Sequence, residues 1–230
     1  MCGRYVAAKD PAALVEEFAI DEPVAQTLPA DFNVAPSKQA YVVVRSDSDH
    51  IGRSLVVARW GLIPSWAKDP SIGTRLINAR CETVADKPSF RSAFARRRCL
   101  VPADGYYEWQ GVRGAKQPYF ISASDGSALA MAGIFEWWTD RTRTDDDPSA
   151  RRLTFAILTR DAVGSVAPIH DRMPVLVPTT IRSAWLDPSC DALRALADCR
   201  VPDLTAVPVS TAVNSVRNNG PDLIRPLERH

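Results

Sequence analysis

No apolar run in this 230-residue chain approaches the ~20 residues that cross a bilayer, and no signal-peptide pattern opens it. A helical membrane protein and a secreted precursor are therefore not expected; the cytoplasm is. Cysteine is sparse and unpatterned: Cys2, Cys81, Cys99, Cys190 and Cys199 are odd in number and lack Cys-x-x-Cys spacing. Neither a disulfide framework nor a zinc site follows, so no metal or other cofactor is expected. Charge is nearly balanced at +1, which gives no global argument for a nucleic-acid partner. Any anion binding must come from local clusters. One such cluster, Arg91, Arg96, Arg97 and Arg98, reads first as a solvated helix face. Internal repeats are also missing. What remains, 46% apolar and 24% charged residues, describes an ordinary globular protein with enough chain for a sizeable core.

The most distinctive stretch is the first one, Met1-Cys2-Gly3-Arg4. Cysteine is small enough for the usual removal of an initiator methionine. Loss of Met1 would leave Cys2 with an α-amine and a thiol on adjacent carbons. The amine titrates near ~8 and the thiol near ~8.5 in unperturbed chains, so some neutral amine exists at pH 7. An aldehyde meeting this 1,2-aminothiol forms a Schiff base that the thiol closes into a thiazolidine. The plain alternative is an incidental cysteine at a frayed terminus.

Along the chain, Asp10-Pro11 reads as a cap and first turn of a helix running to about Ile20. Tyr41–Val44 and Leu55–Trp60 read as a paired hairpin. Trp60 suits a core; Trp66, in a Gly- and Pro-broken loop, suits either packing or a ligand platform. A helix is expected over Pro88–Arg98, then strands at Cys99–Pro102, Tyr106–Trp109, Tyr119–Ile121, Leu129–Trp138 and Leu153–Thr159. Glu108, a carboxylate among aromatics, reads by default as exposed, and otherwise as pocketed with a raised pKa. Thr139–Arg152 reads as a long mobile hairpin tip. Asp161 is expected to start a short helix. Pro168–Pro174 is a rigid, irregular segment bearing His170, Asp171 and Arg172. A strand at Val175–Val177, helices near Thr180–Leu186 and Cys190–Cys199, and a strand at Thr205–Val209 complete the reading. These imply an α+β fold around a largely antiparallel, barrel-like sheet, with short peripheral helices.

Met1–Arg4, Asn78–Thr83, Arg98–Trp109 and Ile169–Val175, with Asn33–Pro36, Trp60–Trp66 and Val213-Asn214, together resemble the SRAP family of abasic-site processing proteins. The matches keep the family's order from residue 1 to about 215. The resemblance implies a single domain, monomeric and nucleoid-associated when on DNA, that binds single-stranded DNA. It also implies a covalent bond between the N-terminal cysteine and an abasic site, and active-site residues at Cys2, Asn78, Glu108 and His170.

The residues themselves suit that chemistry. An open abasic deoxyribose presents the aldehyde an aminothiol requires. Sugar ring opening and loss of water need a group titrating near neutrality, which His170 supplies; the other histidines, His50 and His230, lie in a loop and at the terminus and read as surface residues. Glu108 can take a proton from the α-ammonium or steady the cationic imine. Asn78 can hold the amine or a sugar hydroxyl. Arg4, Arg80 and Arg172 are the candidate phosphate contacts and Trp66 the stacking or wedging residue, with Asn33 and Pro36 completing the DNA-binding set. For each arginine the alternative is a salt bridge, for Arg172 with Asp171 or Glu82. Two other functions fit the same residues: a thiol peptidase with His170 as base, and a noncovalent single-strand binding module.

Overall fold

The computed structural model describes residues 2–22, 25–46, 52–112, 114–144 and 146–227. His50, His230 and most of the Ser46–Arg53 loop lie outside the described residues. Among those described, the chain forms β1 (Tyr5–Ala7), α1 (Pro11–Phe18), β2 (Asp31–Val34), β3 (Gln39–Arg45), β4 (Arg53–Trp60), β5 (Asn78–Arg80), α2 (Arg91–Arg96), β6 (Arg98–Ala103), β7 (Gly105–Gln110) and β8 (Gln117–Ala123). Then follow β9 (Leu129–Thr139), β10 (Arg151–Asp161), β11 (Arg172–Pro174), α3 (Arg182–Leu186), α4 (Ala192–Ala197) and β12 (Leu204–Pro208).

Five strands close on themselves: β10 pairs β4, β4 pairs β3, β3 pairs β6, β6 pairs β9, and β9 returns to β10. The ring is antiparallel except at β4–β10, as expected of a mostly antiparallel barrel. A second antiparallel sheet, ordered β12-β8-β7-β1-β2, packs against it. Side-chain alternation explains why both faces of the ring strands are apolar. Val42, Val101, Met131, Phe155 and Ile157 join Tyr5, Tyr106 and Ile121 of the second sheet in one core. Their sequence neighbours Val43, Leu100, Ala132, Ala156 and Leu158 pack instead with Leu14 and Phe18 of α1, Phe94 of α2 and Trp185 of α3.

Two features of this arrangement place the candidate site residues. The chain leaves the ring for the second sheet at Ala103-Asp104-Gly105, where Asp104 accepts from Ala8 N at 2.6 Å and donates its own amide to Val6 O, fixing β1 against β7. Gly105 is required there, because a Cβ would stand 2.5 Å from Ile121 O and from the Phe120 ring. The C-terminal end of β10 takes β5 in parallel (Ile157↔Asn78) and β11 antiparallel (Asp161↔Arg172). Asn78 and the segment after His170 are thereby drawn to one strand end.

Several local expectations change. α2 is shorter than Pro88–Arg98, and Arg98 is not on a solvated face. It opens β6, is 3% exposed, and donates to the carbonyls of Trp185, Phe94, Ala95, Asp187 and Cys190. These are helix-end carbonyls in part, the groups a helix cannot satisfy itself. Asp161 ends β10 rather than starting a helix, and a short 3-10 turn follows at Gly164–Val166. The strand near 175 lies earlier, at β11, with only a single bridge at Leu176. The Thr139–Arg152 tip is shorter than its composition suggested, since β9 and β10 stay paired out to Thr139↔Arg151.

Candidate active site

Cys2 is fully buried, so the frayed-terminus reading fails. The cause is β1, which sits between β7 and β2 and pulls the preceding residues inward. Tyr107 N donates to Arg4 O at 2.9 Å, and Asn78 Nδ2 donates to Cys2 O at 2.7 Å. The main chain at Cys2 is thus held from both the second sheet and β5. Burial pushes the Cys2 thiol far up, and the charge of Glu108 adds to it, so the site disfavours the thiolate. Among the described residues Asn78 Oδ1 has no partner, leaving an acceptor beside the clamped carbonyl.

Glu108 is 2% exposed, which corrects its default reading and supports the pocketed one. All of Gly105–Glu108 is buried because β7 is covered on both faces. Tyr107 points into a small core with Phe120 and Val213, while Tyr106 points into the core that holds Cys2. By alternation Glu108 shares the Tyr106 face. Burial raises its carboxyl above the ordinary range, partly offset by the N-terminal charge and then by His170. His170 Nε2 lies 3.9 Å from Glu108 Oε2. Two partners meet its Nδ1, the Arg172 amide at 2.9 Å and Asp171 Oδ1 at 2.8 Å. They require opposite states of the ring: Nδ1 accepts from the amide only when bare, and faces the carboxylate favourably only when protonated. Glu108 and His170 open onto a cleft of about 780 Å³ that Trp109, Lys116, Thr211 and Asn214 also line.

The proposed DNA-binding residues divide. Trp66 is 59% exposed, whereas Trp60 is buried as expected of a core residue. Arg80 is exposed next to Asn78, and Pro36 is half-buried in the β2–β3 turn. Arg4 donates to Asn33 Oδ1 at 2.7 Å and Val213 O at 2.8 Å, with its guanidinium 5.8 Å from the Trp109 ring centre. Asn33 is fully buried, and its amide nitrogen serves the carbonyls of Ser215 (3.0 Å) and Asn218 (2.9 Å). This corrects its expected place: it is a pin between β2 and the C-terminal segment, with no side-chain surface for DNA. Arg172 is 7% exposed and spends its guanidinium on Glu82 (2.7 and 2.9 Å), Asp161 and Thr159 O. The salt-bridge alternative is the geometry found. Lys116 and Thr211 escaped sequence reasoning, since nothing in a polar hairpin turn or a tail marks a residue as facing a cleft.

The sequence model described as SOS response associated peptidase (SRAP) matches residues 1–216. The chain belongs to the SRAP family. Among SRAP relatives, the abasic site processing protein YoqW of Bacillus subtilis is 37% identical over 97% of this chain and 99% of its own length. The abasic site processing protein HMCES of Gallus gallus is 35% identical over 80% of this chain and 61% of its own. A crystal structure of a protein from Bacteroides thetaiotaomicron superposes with a TM-score of 0.85 at 25% identity, covering 99% of this chain and all of that one. Among the described residues of this SRAP chain, no helix is long and apolar enough to cross a membrane, and no cluster of three or more His, Cys, Asp or Glu could hold a metal ion.

Proposed function

We propose that this SRAP protein processes abasic sites in single-stranded DNA by capturing them covalently through Cys2 once Met1 is removed. The observation that carries the reading is the convergence on Cys2: its carbonyl is held by Asn78, and Glu108 stands buried within electrostatic reach of its thiol and 3.9 Å from His170. A free α-amine at Cys2 attacks the C1′ aldehyde of the open sugar. Glu108 takes the ammonium proton, which its raised carboxyl holds more readily than an exposed one would. His170 exchanges protons with the sugar oxygens during ring opening and water loss. The S–H bond then adds across the C=N bond, sulfur to carbon and hydrogen to nitrogen, giving a thiazolidine with one water released overall. The unpartnered Asn78 Oδ1 is the acceptor for the amine or a sugar hydroxyl.

Burial of the thiol disfavours the thiolate that a thiol peptidase needs in its first step, whereas capture begins at the amine and leaves sulfur for the second step. Exposed Trp66 and Arg80 supply the surface for bases and phosphates, and Arg4 reaches DNA from its anchor on Asn33. A denaturing gel with an abasic single-stranded oligonucleotide tests the reading. Wild type gives a heat-resistant shifted band and no turnover of a generic peptide. An equal band from Cys2→Ala leaves only a noncovalent module or another nucleophile, and overturns it.

A further inference from the structure

The proposed reaction uses His170 but leaves unexplained the ion cluster just behind it. Arg172 donates to both oxygens of Glu82 in a fork, to Asp161 on the adjoining strand and to Thr159 O, all from a side chain 7% exposed. Each partner belongs to a segment that holds part of the site. Glu82 lies in the turn directly after β5, the strand carrying Asn78. Asp161 pairs Arg172 across the β10–β11 ladder. The amide of Arg172 itself meets His170 Nδ1 at 2.9 Å, in competition with the exposed carboxylate of Asp171 at 2.8 Å.

We propose that Glu82 is a positioning residue for His170. By gripping Arg172 in a bidentate pair it holds the Arg172 amide on Nδ1, so that the neutral ring carries its proton on Nε2, facing Glu108. The inference rests on the covalent-capture reading for its consequence, though its geometry stands without it. A forked guanidinium–carboxylate pair fixes orientation as well as distance. The fork therefore sets the backbone at Arg172, not merely its charge. If the grip is lost, the Arg172 amide drifts and the neutral ring moves its one proton from Nε2 to Nδ1, where it donates to Asp171 and leaves a bare Nε2 toward Glu108. The ring then presents an acceptor where ring opening of the sugar calls for a donor. The same fork ties the β5 turn to β11, so Asn78 and His170 keep their spacing. Glu82 is suited to this task because its bond to Arg172 holds its carboxyl down at about 2, ionised throughout the neutral range.

Long-range 1H–15N correlation of histidine-labelled protein reads the tautomer directly. Wild type is expected to show neutral His170 as the Nε2–H form, and Glu82→Gln to shift it toward Nδ1–H. Crosslinking to saturating abasic oligonucleotide should slow about 10- to 100-fold in Glu82→Gln, the upper end being the scale of a misplacement of about 1 Å in a site. Affinity for an undamaged strand should stay within about 2-fold, since the buried guanidinium contacts no phosphate in this account. Glu82→Asp, which keeps the charge, should recover part of the rate. An Nδ1–H tautomer in wild type overturns the proposal outright, even if Glu82→Gln fails to fold. Tighter DNA binding by Glu82→Gln at an unchanged rate also overturns it, by making Arg172 a phosphate contact that Glu82 masks. Absence of any crosslink in wild type sinks the capture reading alone, because the tautomer readout does not depend on it.

Discussion

Asn33→Leu distinguishes a buried pin from a DNA contact. Leucine keeps the same branched skeleton with methyl groups in place of the amide oxygen and nitrogen, so the change removes every hydrogen bond of the side chain. Asn33 Oδ1 accepts from Arg4 Nη1 at 2.7 Å, and its two amide hydrogens serve Ser215 O and Asn218 O, with Val213 O at a longer 3.4 Å. Arg4 keeps its bond to Val213 O, and part of the freed carbonyls can reach water. Counting two or so uncompensated groups at ~1–3 kcal/mol each, discounted for solvent access, the loss is about 2–4 kcal/mol. For a domain of this length that lowers the melting temperature by roughly 4–16 °C. Differential scanning calorimetry measures it. Crosslinking should slow as well, because Arg4 and the main chain at Cys2 lose an anchor. Unchanged melting together with weakened binding to undamaged single strands would refute the reasoning and return Asn33 to the DNA surface.

Cys2→Ser keeps the amine and loses the sulfur, so borohydride should trap an imine with abasic DNA while no heat-resistant adduct accumulates; absence of the trapped species speaks against amine attack. Glu108→Gln should unfold at higher temperature than wild type at neutral pH while crosslinking more slowly. The folded-state carboxyl titrates above its unfolded value, so the stability it contributes is complete below the unfolded pKa and is lost as pH rises through the folded one. The gap between variant and wild type should therefore close toward about pH 4, and a gap that widens on acidification contradicts it. Trp66→Ala, at a site 59% exposed, should leave stability within ~0.5 kcal/mol and weaken strand binding by ~1–3 kcal/mol in fluorescence anisotropy. The opposite pattern makes Trp66 a packing residue.

The barrel was legible because its strands carry unmistakable β-branched and aromatic runs, as at Tyr41–Val44, and because Asp10-Pro11 states a helix start in local chemistry. Its closure was not, since the β4–β10 pairing joins residues about a hundred apart without a local signal. Short elements failed where tertiary contacts outweigh propensity. Arg98 is a case: four clustered arginines look like a solvated face, yet one of them caps carbonyls from α2, α3 and the turn after it. The candidate site residues were legible as residue types in a family's order, but their environments were not. Nothing in Tyr106-Tyr107-Glu108-Trp109 tells that β7 is covered on both faces, which is what buries Glu108. Asn33 and Arg172 mislead for the same reason. A polar side chain near a site looks like a ligand contact until its partners are seen.

Intact mass spectrometry of the purified protein, before and after incubation with an abasic single-stranded oligonucleotide, reaches the central claim most directly. The account predicts a chain lacking Met1, then a product heavier by the oligonucleotide less one water and stable to heat. A crosslinking-competent preparation that still carries Met1, or an adduct that maps away from Cys2, contradicts it.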